Sequence, residues 1–286
     1  MSAPTGPASN SPALTGTASR DATAPLGPRA RVRRELTTEI KARALAQLAT
    51  GGGPAISLRA IAREMGMASS ALFRYFPNRD ALLTALIIDT YGSIADAAEE
   101  AEAGAHHGSV EERWMAICNA VREWSVARPH EYALIFGSPI PGYAAPTDTV
   151  APASRIPLLL GGLLADLTSA EAADGGGAGG AAGAAASADG VGAAGAAGAA
   201  GAAGGATSAP AVPEVIRDAL APLYETVVPA AVPTDLLVRG LMAWTYLFGA
   251  VSFEVFGHRH NVIGDYEAFF EHEMRRIAAL LGLVGP

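Results

Sequence analysis

Apolar residues recur along nearly the whole chain at helical spacing, not at the alternation of a strand. Leu36, Ile40, Ala44 and Leu48 form one stripe, closed by Gly51, Gly52 and Gly53. Leu58, Ile61, Ala62 and Met65 form a second, at i, i+3, i+4 and i+7. A third runs through Leu83, Leu86, Ile87, Tyr91 and Ile94, entered after Pro77, with Asn78 placed to cap it and Asp80 in its first turn. Val110, Trp114, Ile117, Cys118, Val121 and Trp124 mark one face of a further helix, which Pro129 closes or restarts. Further helices are predicted at about 149–169, 213–228, 234–257 and 265–283. The predicted fold class is all-α.

Two stretches break the pattern. Residues 1–28 contain little that could offset the entropy of ordering and are expected to be a disordered tail. Between Glu171 and Ala206, 31 of 36 residues are Ala or Gly. Glycine at every third position costs roughly 1 kcal/mol each in a helix, and the tract leaves no apolar stripe to dock. A disordered Ala/Gly insertion is therefore expected at 171–209. Two domains are expected outside the tail, one at 29–90 and a second at 91–286 that carries the insertion.

Charge separates the same two segments. The whole chain carries -8. From Arg29 to Thr90, ten basic residues face five acidic ones, a net of +5, which leaves the rest at -13. A basic module joined to an acidic one orients the molecule towards a polyanion at one end. The apolar stretches, Leu236 to Phe256 among them, are broken by Asp235, Arg239 and Glu254, so no membrane span is expected. The first residues lack the basic-then-apolar order of a signal peptide, so a cytoplasmic location is expected. Cys118 is the single cysteine, which excludes an intrachain disulfide or a cysteine-based zinc site.

The helix Ser57 to Met65 is followed by Gly66, where a left-handed residue turns the chain, and then by a short helix at about Ala68 to Phe76. Leu72 and Phe76 share the inward face. Ser69, Ser70, Ala71, Phe73, Arg74 and Tyr75 are left on or near the other face, small and polar at the N-terminal end, as a helix entering a major groove ~12 Å wide requires. This is the candidate recognition helix. The stretch from Ile56 to Leu83, most specifically Leu72-Phe73-Arg74-Tyr75-Phe76-Pro77-Asn78-Arg79-Asp80-Ala81-Leu82, resembles the TetR (tetracycline-repressor) family of bacterial regulators. The resemblance implies base-facing roles for Ser69, Ser70 and Ala71, a base or phosphate contact for Arg59, and backbone clamps at Phe73, Tyr75 and Arg79; Ser57, Ala68 and Arg74 complete the candidate DNA-binding set. Phe73 stands where the family usually has tyrosine and Arg79 where it usually has lysine. A hydroxyl contact is thereby lost, while the charge is kept on a guanidinium that can fork onto two phosphate oxygens. Arg63 and Arg74 fit either a solvated face or a contact. The arm Arg29-Ala30-Arg31-Val32-Arg33-Arg34 fits either a charged disordered lead-in or an arm that lies along phosphates or enters the adjacent minor groove.

Beyond residue 100, helical spacing explains each aromatic singly as core. Together Trp114, Trp124, Tyr132, Phe136, Trp244 and Phe248 suggest an aromatic-lined cavity, and they are the candidate ligand-binding residues. The segments Arg128 to Phe136 and Ala243 to Gly249, with Phe256-Gly257-His258, resemble the ligand and dimerisation domain of a TetR subgroup with a Trp, Gly and His signature. The resemblance implies a homodimer on a palindromic operator in double-stranded DNA, with repression relieved by a small apolar or aromatic effector. No cofactor is implied. The pairs His258/His260 and His106/His107 lack a third ligand at metal spacing, and no nucleophile elbow or P-loop is present, so neither a metal site nor catalysis is expected. A helical scaffold that has lost DNA binding is the other alternative.

Overall fold

The computed structural model describes residues 27–51, 55–176, 211–229 and 231–283. Nearly all of the predicted tail and of the predicted Ala/Gly insertion lies outside the described residues, but Pro28 at the end of the first and residues 171–176 at the start of the second are helical. Among the described residues there are α-helices and short 3-10 turns, and no strand. The helices are α1 (Pro28–Gly51), α2 (Leu58–Glu64), α3 (Ser69–Leu72), α4 (Arg79–Gly104), α5 (Val110–Ala127), α6 (Pro129–Phe136), α7 (Val150–Gly176), α8 (Glu214–Thr226), α9 (Thr234–Val255) and α10 (Tyr266–Leu281).

The chain divides into two units between Ile40 and Lys41, inside α1. In the first, Pro28 opens the helix, where its missing N–H costs nothing, and the Thr37 hydroxyl donates to the Arg33 carbonyl at 2.8 Å. The second unit holds the remaining helices. Asn78 caps α4 as its sequence position predicts, its Oδ1 accepting from the Ala81 N–H at 2.8 Å. α4 then runs unbroken to Gly104, so the predicted division at residue 90 falls within one helix. Ser109 opens α5 with a reciprocal cap: its Oγ accepts from Glu112 N–H, while Glu112 Oε2 accepts from Ser109 N–H at 2.7 Å. Pro129 restarts the chain as the first residue of α6.

α5 is the central element, packed on α4, α6, α7, α9 and α10. Trp114, Ile117, Cys118, Val121 and Trp124 on its predicted inner face are all buried. The polar atoms of buried aromatics find partners, as burial requires. Trp114 Nε1–H donates to the Met274 carbonyl at 3.1 Å, and Trp124 Nε1–H to Ser93 Oγ at 2.9 Å. Ion pairs tie neighbouring helices at their edges: Arg122 forks onto Glu254 at 2.7 and 2.8 Å, Arg113 bridges Glu102 and Asp166, and Arg155 bridges Asp96 and Glu99.

One expectation is corrected. The segments Arg79–Gly104, Thr147–Ala170 and Thr234–Val255 are each long and apolar enough, by length and composition, to cross a membrane. The two charges that interrupt such a window do not lower its mean hydropathy enough to disqualify it. In this fold α4, α7 and α9 are flanked by helices on several sides, so apolar residues occur on more than one face.

Candidate functional site

The short helices after residue 56 are built by local chemistry. Ser57 Oγ caps α2, accepting from the Ala60 N–H at 3.3 Å, and Leu58, Ile61 and Ala62 are buried. At the other end Gly66 takes φ +64°, the left-handed conformation that a side chain disfavours. Two bonds close this end, Met67 N–H to the Ala62 carbonyl at 2.8 Å and Gly66 N–H to the Arg63 carbonyl at 3.1 Å, which together form a Schellman cap. Gln47 of α1 clamps the same helix, its Oε1 accepting from Ser57 N–H at 2.9 Å and its Nε2 donating to Glu64 at 3.2 Å. Nothing in the sequence pattern singles out Gln47, because its role depends on two groups brought together across the turn.

The candidate recognition helix is shorter than predicted. α3 is a single turn, Ser69–Leu72. After it the bonds tighten to i→i+3, with Arg74 N–H reaching the Ala71 carbonyl and Tyr75 N–H the Leu72 carbonyl at 2.8 Å. Pro77 supplies the reason, since the residue before a proline is pushed out of the helical region. Leu72 and Phe76 point inward and are buried. Ala68, Ser69, Ser70, Arg74 and Arg59 are exposed, Ser57, Ala71, Tyr75 and Arg79 are half-buried, and Phe73 is 40% exposed, unusual for so large an aromatic. Arg79 lies 3.8 Å from Asp80. All ten candidate residues thus fall on one short stretch of surface-facing chain, with Ser57 also committed to capping α2.

A cavity of about 690 Å³ opens in the helical body, within the range of small-molecule sites. Trp114 and Trp244 line it, together with Tyr91, Tyr143, Thr149 and Ser154. The other four aromatics predicted there are placed elsewhere. Trp124 is bonded to Ser93, as described. Tyr132 is fully buried, with its hydroxyl donating to the Phe248 carbonyl at 3.1 Å and 2.8 Å from Ser252 Oγ; burial pushes this phenol up to about 12. Phe136 stacks on Phe248 with centroids 4.5 Å apart and on Tyr132 at 5.0 Å. These rings form a stack beside the cavity. Among the described residues no group of three or more His, Cys, Asp or Glu is placed to hold a metal ion.

Comparison with known proteins follows the same division. The family described as "Bacterial regulatory proteins, tetR family" matches residues 40–86, and the one described as "Tetracyclin repressor-like, C-terminal domain" matches residues 114–277, more than half of the chain. The chain belongs to the TetR family. It is therefore a member of a family of helix-turn-helix transcriptional regulators, not of enzymes. The HTH-type transcriptional regulators Rv1816 of Mycobacterium tuberculosis and Mb1846 of Mycobacterium bovis are each 42% identical to it over 126 residues, 44% of this chain and 54% of theirs. The chain thus spans about half the length of these curated relatives. Among solved structures, SCO4313, described as a regulatory protein, is 30% identical with a TM-score of 0.63, over 88% of this chain and all of that one. A Rhodococcus sp. RHA1 protein of unknown function shares the fold, at 19% identity and a TM-score of 0.55, over 87% of this chain and 96% of that one.

Proposed function

We propose that this TetR-family chain is a ligand-responsive repressor that binds a palindromic operator as a homodimer in the cytoplasm. The observation that carries the reading is the turn Ser69–Leu72: its small residues face outward, its apolar ones face inward, and a left-handed glycine cap holds its approach. Such a turn enters a major groove without a clash, while the basic charge between residues 29 and 90 draws it to phosphates. Arg59 and Arg74 are the groups able to make a bidentate base contact, and Phe73, Tyr75 and Arg79 hold the backbone.

The dimer reading is supported by apolar surface on α8 and α9. Met242 is 54% exposed and Phe253 50%, and with Ile216 they border one groove between these helices. A second copy would cover this surface, giving a two-fold axis that sets recognition turns about 34–36 Å apart. Effector binding in the cavity would favour a spacing that misses successive grooves, which requires different affinities for the two arrangements.

Operator selection with the purified chain, repeated with Arg59→Ala and Tyr75→Ala, tests this reading. Both variants are expected to bind the selected duplex about 10-fold or more weakly, and Arg59→Ala also to relax sequence preference. Unchanged affinity in both, or binding with no salt dependence, would sink the contact map.

A further inference from the structure

The cavity has a chemistry of its own. Among the described residues, no Asp, Glu, Lys, Arg or His lines it. The arginines that directly follow Ser154 and directly precede Gly240 in the chain are held by other partners. Arg155 is held by Asp96 and Glu99, and Arg239 by Asp235 and the carbonyls of Leu280 and Leu281. A charged ligand would therefore lose its hydration without gaining a counter-charge.

The lining is also polarised along its length. α7 contributes residues from Val150 to Leu164, about 20 Å of wall at 1.5 Å per residue. Near the start of α7 lie Thr149, Ser154 and Tyr143, whereas Leu160, Leu164, Val228 and Leu237 make the other end apolar. At the polar end the hydroxyl hydrogens of Thr149 and Ser154 are already spoken for. Thr149 Oγ1 donates to the Pro146 carbonyl at 2.8 Å and Ser154 Oγ to the Val150 carbonyl at 2.9 Å, while Tyr143 and Thr84 share a hydrogen bond of 2.9 Å. Pro157 has no N–H, so the Ala153 carbonyl lacks its usual helical donor, and both residues line the cavity. What this end has left to offer is the lone pairs of these oxygens, beside the hydroxyls of Tyr91 and Ser138, which can also donate. Burial pushes the Tyr91 phenol up, which keeps it neutral.

We propose that the cavity takes an uncharged, elongated ligand with an aliphatic body and one hydrogen-bond-donating end, an alcohol or phenol, and rejects the carboxylate and ammonium of the same length. The inference rests on the reading of this cavity as the effector site. Among the described lining residues a carboxylate would find no cation and an ammonium no carboxylate, whereas a hydroxyl can both donate to and accept from the polar end.

The test titrates decan-1-ol, decanoate and decylammonium into the full chain near pH 7.5, following quenching of tryptophan fluorescence, to which Trp114 and Trp244 in the cavity wall contribute, with release of selected operator as a second readout. Decanol is expected to bind at least tenfold more tightly than either ion. In Thr149→Val and Ser154→Ala its affinity is expected to fall about 3- to 10-fold. Decanoate or decylammonium matching decanol would overturn the neutral-ligand assignment, and unchanged decanol affinity in both variants would overturn the placing of the polar end. Decanol binding with the expected preference but without operator release would uphold the inference about the cavity and refute the effector reading. Binding of none of the three would overturn the proposal.

Discussion

The turn at Ser69–Leu72 and the cavity beside α7 are opposite kinds of site. The turn is made by about twenty consecutive residues, each shaped by neighbours a few positions away. Ser57 caps, Gly66 reverses the chain, Pro77 ends the helix and Asn78 begins the next. The cavity is walled by residues from Ile87 to Leu283, and its lining exists only when seven helices and the segments that join them have closed. A surface that must fit a regular duplex can be encoded locally, because its partner has a fixed shape. An enclosed space takes its shape from everything packed around it.

That difference can be broken open by substitution. The largest effect is expected from Trp114→Ala, which removes a buried indole on the cavity wall and leaves the Met274 carbonyl without its donor. It should cost ~3–5 kcal/mol in urea unfolding. If the loss is below ~1 kcal/mol, the wall is not part of the cooperative core.

Gly161→Ala should come next. A Cβ there would stand 2.6 Å from the Val227 carbonyl oxygen, a backbone atom that can yield only by moving the end of α8. The expected cost is ~1–3 kcal/mol, with altered ligand affinity. Gly240→Ala meets only the flexible end of Leu164 and should cost less. Equal effects in thermal melts would contradict this account of close approach.

The smallest of the three belongs to the locally encoded site. Asn78→Ala removes the cap of α4 and should cost ~1 kcal/mol in unfolding, while operator affinity falls and cavity binding is unchanged. A parallel loss of ligand affinity would mean that the two regions do not separate as described.

Much of this protein could be read before any coordinates. Helical periodicity placed the buried face of α5, and punctuation by Gly66, Pro77 and Asn78 placed the helix-turn-helix, because caps and turns depend on residues adjacent in the chain. Even there α3 came out at half the predicted length, since apolar spacing cannot distinguish a second α-turn from the tighter turn that Pro77 imposes. The cavity was anticipated from its aromatics, yet only Trp114 and Trp244 of the six line it. Tyr91 was legible only as part of a buried stripe, and Tyr143, Thr149 and Ser154 carried no signal, being ordinary residues far apart in the chain. Composition and spacing determined the helices and the residues that start and stop them. Tertiary structure alone decided which aromatics stack together, which hydroxyls keep spare lone pairs, and which wall carries no charge, because these depend on the distance between side chains that the chain itself keeps far apart.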